Sequence, residues 1–548
     1  MSSNLISATQ TKNYLLDDPI LDWLDIYGEQ NNFKKDNKLF PVFIMDKGVE
    51  FEKYITNKIL KYHKITSLDN MDFNDRYIKT LEYMKLGHKI IYQGGVLDDD
   101  NNMYGIPDLL VRSDYLNTLI KTPVVSTEQE SIPSIFSDNW HYRVIDIKFS
   151  KLNLSSGGKY LLNSKMLIAY KGQLVIYNEC LAKMQGYKPL EAYILGRKLP
   201  NNTCSLDQLG HINFNNDQDI VKKTFYAINW IKYINKYGPA LKISHPSIKE
   251  LYPNMSNKYD FPWHNVKIKI AKHINDITLL WRCGIKERDL CFNKSITRWD
   301  EINCCSDLNI PNKNANIINK IILVNKNNSI IMYPRKIKKW ANIEIIKPSL
   351  LYFCCDFETV QQFDDNCESI IFMVGLISIY KVNGIIYTEY NTFIANKLIV
   401  DEEYRVVDEW ISYIKSMCDR FNVNNPKIYH WSKAEPSIYN KVKNKYNNPF
   451  NWINLNFIDL LDIFINEPIA IKGAFTYNLK DISKSLAKNN LIKTIWKEDM
   501  DGSDAMIYAL QWYQTKQPNN DIMNKIIEYN FVDCQVLYEI LELLQSKC

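Results

Sequence analysis

Two strand-like runs far apart in the chain, HYRVIDIKFS and LLYFCCDFETV, each carry charged residues two positions apart: Asp146 with Lys148, and Asp356 with Glu358. Side chains alternate between the faces of a strand, so the members of each pair share a face and can enter one site. Carboxylates gathered on such strands must be compensated. At an effective dielectric near 20, two like charges about 4 Å apart repel by roughly 4 kcal/mol, a large share of the roughly 5 to 15 kcal/mol that holds a domain together. A bound cation or a retained proton relieves this, and an all-oxygen donor set favours Mg²⁺ or Mn²⁺.

With 548 residues the chain exceeds what one hydrophobic core serves, which implies several domains. The pattern predicts an N-terminal extension over 1–37 and an α/β domain over 38–200. A mostly helical connector over 201–348 follows, and then a second α/β domain over 349–548. Within the first α/β domain, the Ser-, Thr- and Pro-rich stretch Thr122 to Asn139 reads as a surface insertion outside the core. Hydrophobic residues at 46% and charged residues at 24% describe a soluble globular protein and exclude disordered and fibrous classes. The start lacks a basic segment followed by an apolar one, and the longest apolar run, Ile370 to Tyr380, is too short for a bilayer. An intracellular location without membrane attachment is therefore expected. Pairs such as Cys304-Cys305 and Cys354-Cys355 are not CxxC motifs, so neither a zinc ribbon nor a disulfide framework is suggested.

In the first constellation Asp108, within GIPDLLVR, begins another apolar run and can set a second carboxylate beside Asp146. Lys148 could position water or stabilise charge growing on a phosphate. GIPD followed by IDIK resembles the PD-(D/E)xK nuclease signature, and QLVIY, with Gln173 and Tyr177, resembles the QxxxY motif of the RecB-like branch. The resemblance implies that Asp108, Asp146 and an acid on the first core helix hold the metal. GVEFEKY offers Glu52 for that acid, ahead of Glu50. It further implies a catalytic Lys148, with Gln173 and Tyr177 facing DNA or the active site. Asp108 and Asp146 are further apart than the family usually shows, which requires the insertion to loop out. Relatives with an iron-sulfur cluster place a cysteine ahead of the nuclease core; the first cysteine here is Cys180, so no cluster is expected.

In the second constellation IIEYNFVDCQVLYEILELL reads as a helix that stacks Tyr529 and Asp533, four residues apart, on one face. D-x-E on a first strand and Y-x-x-x-D on a late helix resemble motifs of the ribonuclease H-like DEDDy exonucleases. That family implies two metals held by acids, and a tyrosine that orients the attacking water. Its middle acid follows a strand, where KIYHWSKAEPS offers Glu435, a Glu in place of the usual Asp; Asp459 is the fallback. The order of parts resembles predicted RecB-family nucleases fused to a YprB-like ribonuclease H domain, including an H-x-x-x-x-E form of the middle motif.

The net charge of +5 is mild, but Lys313 to Lys347 holds eight Lys or Arg against the single acid Glu344, with Tyr333 and Trp340 interleaved. This suits phosphate contact and base stacking, with Lys336, Lys338 and Lys339 as candidates; a solvated charged loop fits equally. The segment around Gly284 resembles a helix-hairpin-helix insert in which Arg282, Lys286 and Arg288 would touch phosphates. The expected function is metal-dependent phosphodiester hydrolysis in nucleic acid, DNA ahead of RNA, in repair, recombination or replication, with a helicase or repair protein as possible partner. The alternative is a nucleic-acid-binding scaffold in which one or both folds have lost catalysis. A transferase or phosphatase lacks a phosphate-cradling glycine loop here.

Overall fold

A computed structural model describes residues 5–198, 206–303, 305–361, 369–497, 500–515 and 520–548. Cys304 and the expected boundary at residues 200 and 201 lie outside the described residues. The chain forms two compact units, Met1–Ile274 and Asn275–Cys548, both mixed α/β. The division falls within the stretch read as a connector. Among the described residues no helix is long and apolar enough to cross a membrane.

In the first unit six strands lie side by side in chain order. They are β1 (Thr66–Ser67), β2 (Ile90–Tyr92), β3 (Leu109–Arg112), β4 (Tyr142–Lys151), β5 (Glu191–Lys198) and β6 (Gly210–Asn213). Neighbours β1 and β2, and likewise β4 and β5, run parallel; the other pairs are antiparallel. Helix α1 (Leu39–Leu60) precedes the sheet, and helix α2 (Met166–Gln185) connects β4 to β5. The period-2 alternation sorts the strand residues between two cores. Ile90, Leu109, Val111, Ile145 and Ile147 pack with Phe51, Ile55 and Ile59 of α1. Ile91, Leu110, Tyr142 and Val144 pack with Leu174, Val175 and Leu181 of α2. Asp146 and Lys148 have the parity of Tyr142 and Val144, so they lie on the α2 side of the sheet. The stripe Phe51, Ile55 and Ile59 is what fixes α1, since burying each such side chain contributes roughly 1.5 to 3 kcal/mol.

Residues of the first 37 are part of this core: Ile20, Leu21, Trp23 and Leu24 are buried in it, and the Trp23 indole donates to the Gly238 carbonyl at 2.9 Å. The stretch Thr122 to Asn139 does not lie wholly outside the core, contrary to its composition. Val124 and Val125 are buried in the core on the α1 side of the sheet, and both backbone N–H groups donate to the Asn117 side chain, at 2.8 and 3.2 Å. The apolar pair supplies the burial and Asn117 satisfies the backbone that follows it inside.

In the second unit five strands take the order β9-β8-β7-β10-β11. They are β7 (Leu351–Val360), β8 (Ile370–Val382), β9 (Ile385–Ile394), β10 (Lys427–His430) and β11 (Asn456–Asp459). The pairs β7/β8 and β8/β9 are antiparallel, while β7/β10 and β10/β11 are parallel. The central strand β7 is almost wholly buried, as expected of a strand covered on both faces. Around the sheet lie α3 (Val400–Phe421), α4 (Ala434–Lys445), α5 (Leu479–Lys488) and α6 (Asn520–Gln545). On α6 Met523, Ile526, Asn530, Asp533, Leu537, Ile540 and Leu544 form a buried stripe at helical spacing, which presses this face toward the sheet.

Candidate active sites

In the first unit Asp146 and Lys148 project from β4, with the Lys148 Nζ 2.6 Å from an Asp146 carboxylate oxygen. Asp108, just before β3, accepts a 2.6 Å hydrogen bond from the Ile147 N–H, which brings its carboxylate to Asp146. Lost hydration and then the Asp146 charge hold Asp108 well above the usual carboxylate range. Lost hydration alone would lower the Lys148 ammonium, yet Asp146 and Asp108 outweigh it and push the group up. The site thus keeps its lysine charged. Glu52 on α1 accepts from the Tyr92 hydroxyl and the Gln93 amide, both at 2.7 Å, whereas Glu50 pairs with Lys47 at the surface. Gln93 itself has φ of +51° and receives the Arg76 guanidinium on its carbonyl and its side chain. A non-glycine residue in that conformation is strained, so its neighbours must hold it there.

Gln173 and Tyr177 follow each other on α2, with the Gln173 amide donating to the Tyr177 hydroxyl at 2.6 Å. Tyr177 is buried, and burial and then the two aspartates raise its phenol far above its ordinary value. Its ring presses on Gly105, where an added Cβ would lie 2.2 Å from a ring carbon. Tyr177 therefore faces the acids from inside and is not open to a strand of nucleic acid.

In the second unit Asp356 and Glu358 share a face of β7, and Asp533 reaches them from α6. Oxygen atoms of these three carboxylates lie within 4.8 Å of one another. Burial and the neighbouring acids push Glu358 up to about 8 and Asp356 well above its usual range. Burial also lifts Asp533 to about 7, against the hydrogen bond from the Tyr529 hydroxyl and the nearby Lys480 charge. The Asp98, Asp99 and Asp100 oxygens also come this close, but two of those residues are exposed and the group forms a surface turn.

Glu435, in the first turn of α4, is buried with an oxygen 3.2 Å from the His430 Nδ1. Its charge bears on Asp356, Glu358 and Asp533, although it is not among the three that converge within 4.8 Å. Asp459 caps the helix that follows β11, accepting from the Leu461 and Ser432 N–H groups at 2.9 and 2.8 Å, so its carboxylate is committed to the backbone.

Sequence reasoning missed Asn530. Its Nδ2 donates to an Asp356 carboxylate oxygen at 2.9 Å, and its Oδ1 accepts from the Tyr390 hydroxyl at 3.0 Å. Gly375 stands opposite Asp356 in the sheet, and a Cβ there would come to 1.6 Å from the Asn530 Oδ1. A glycine inside the apolar run Ile370 to Tyr380 was the available signal for such a close approach.

Lys336, Lys338 and Lys339 are exposed, as are Arg335 and Trp340. Between them Ile337 is buried, and the Lys338 and Lys339 N–H groups donate to Glu467 at 3.3 and 2.8 Å. The basic segment is thus held by its backbone, with Lys336 and Lys338 exposed and the Lys339 ammonium donating to the Asn466 carbonyl. Arg282 and Lys286 are also exposed, but Arg288 is buried against Asp276 at 3.1 Å and is not free to touch a phosphate.

These acids are all oxygen donors, so the converging triad suits a hard divalent cation. None of the curated proteins matches this chain. Residues 353–545 match the RNase_H_2 model of the RNase_H superfamily, which makes the C-terminal region ribonuclease H-like and points to a nuclease.

Proposed function

We propose that this chain is a metal-dependent nuclease with two separate hydrolytic sites, a RecB-like PD-(D/E)xK site in the first unit and a DEDDy-type 3′–5′ exonuclease site in the second. The observation that carries the reading is the converging triad of half-buried Asp356 and buried Glu358 and Asp533 within a ribonuclease H-like region. The carboxyl groups are elevated by burial first and by their mutual repulsion second, and a divalent cation would offset both. When bound, such cations neutralise phosphate charge and make water a better nucleophile for in-line attack. Asp356, Glu358 and Asp533 would hold them, with Glu435 as the fourth carboxylate of a two-metal arrangement. Tyr529, hydrogen-bonded to Asp533, would orient the attacking water.

In the first unit Asp108, Asp146 and Glu52 would hold one Mg²⁺ or Mn²⁺ ion, and Lys148 would stabilise charge on the phosphate. Gln173 and Tyr177 would order the floor of that site. Lys336, Lys338 and Lys339 would bind the backbone of the substrate. DNA is the proposed substrate ahead of RNA, in repair, recombination or replication, with a helicase as a fitting partner. The pairing of Glu435 with His430 favours one second reading, a C-terminal binding module without catalysis.

The test is the purified chain with Mg²⁺ or Mn²⁺ on end-labelled strands and duplexes. EDTA should abolish cleavage. Asp146→Ala should remove one activity by 10²-fold or more and leave stepwise shortening of a 5′-labelled strand; Asp356→Ala should do the converse. Robust cleavage in EDTA would overturn both sites. Loss of all cleavage in a folded Asp146→Ala protein would favour the binding-module reading.

A further inference from the structure

A cavity of about 390 Å³ opens beside the second triad, lined among others by Asp356, Asp501, Asp533 and Tyr529. Among the described residues lining it, Lys480 is the one base. Two divalent cations would balance the triad and Glu435 and leave the charge of Asp501 over, so an incoming phosphodiester meets a wall with no positive charge to spare. A positive group supplied by the wall itself would offset this where the phosphate must sit.

Lys480 is built into that place. It stands in the first turn of α5, where the Asn478 side chain caps the helix by accepting from the Lys480 N–H at 2.9 Å. This fixes the backbone from which the side chain enters the cavity. The ammonium donates to the Met500 carbonyl and lies 5.0 Å from the centre of the Tyr529 ring and 5.6 Å from that of Trp496. Two aromatic faces and a carbonyl thus hold the charge over the residue that hydrogen-bonds Asp533.

We propose that Lys480 is a phosphate-binding residue of this site, contacting a non-bridging oxygen of the strand end that the cavity receives. The assignment rests on the exonuclease reading of the second unit. Lysine serves as a compact point charge for phosphate, and arginine could supply the same charge from a longer arm.

The experiment uses the full chain carrying Asp146→Ala, so that only the second site can cut. Lys480→Met should lower kcat/KM on a 5′-labelled single strand by about 10- to 100-fold, the range for loss of a charged contact at a reacting phosphate, with Lys480→Arg recovering most of it. Binding of the same strand, followed by fluorescence anisotropy with Ca²⁺ replacing Mg²⁺, should lose about 0.7 from the slope of log K against log salt in Lys480→Met and keep it in Lys480→Arg. An unchanged slope with reduced activity would overturn the proposal and leave Lys480 as a tie between α5 and Met500. Activity and slope both unchanged would overturn it as well. If the Asp146→Ala parent neither binds nor cuts the strand, the exonuclease reading itself fails and takes this assignment with it.

Discussion

The space that Gly375 leaves opposite Asp356 is filled by the Asn530 carboxamide, and this one contact ties the strand acids to the helix that carries Asp533. Gly375→Ala would force a methyl group onto the Asn530 oxygen, displacing α6 at an overpacking cost of about 1 to 3 kcal/mol. A lowered melting temperature and weaker Mn²⁺ binding by calorimetry should follow. Adding Asn530→Ala should restore part of the stability but not the metal affinity, a coupling that a double-mutant cycle reads directly. The same acids set a pH dependence. Glu358, at about 8, and Asp533, at about 7, keep protons that an unfolded chain releases near pH 4. Their folded values are raised, so without metal their stabilising contribution is whole below pH 4 and is lost as pH rises toward 8. Thermal melts in EDTA should fall across that window, and saturating Mg²⁺ should flatten the decline; a melting temperature that rises with pH in EDTA would contradict the clustering.

At the level of elements, period and spacing carried most of the reading. The parity of Asp146 and Lys148 on β4, and of Asp356 and Glu358 on β7, follows from strand geometry alone. Helical stacking likewise sets Tyr529 beside Asp533. Asn530 has no such signature, because its partners come from β7 and β9. Val124 and Val125 were hidden by the polar composition around them, and Arg288 by the rule that arginines are usually solvated; its partner Asp276 lies outside its own helix. The basic segment combines both cases, since its charges are exposed as expected while Ile337 and Glu467 fix its course. Neutral residues at Lys336, Lys338 and Lys339 should weaken binding alike across sequences and lower the salt slope by up to about 2 for single strands. An unchanged slope in anisotropy titrations would make these lysines a solvated surface only.

For the whole molecule, the first unit closes upon itself over nearly its full length. Lys267 is buried with Asp18, at 2.8 Å, and with Asp260, and the Asn254 and Asn257 carbonyls also lie within hydrogen-bond distance of its ammonium. Removing one partner of such a buried ion pair typically costs about 3 to 5 kcal/mol, so this knot matters to the unit's stability. Asp18 and Lys267 stand 249 positions apart. A ribosome adding about 5 to 20 residues per second needs roughly 12 to 50 s to travel that distance. For most of that time Ile20, Leu21, Trp23 and Leu24 lack the later segments that cover them, and a holding chaperone has a defined window in which to act.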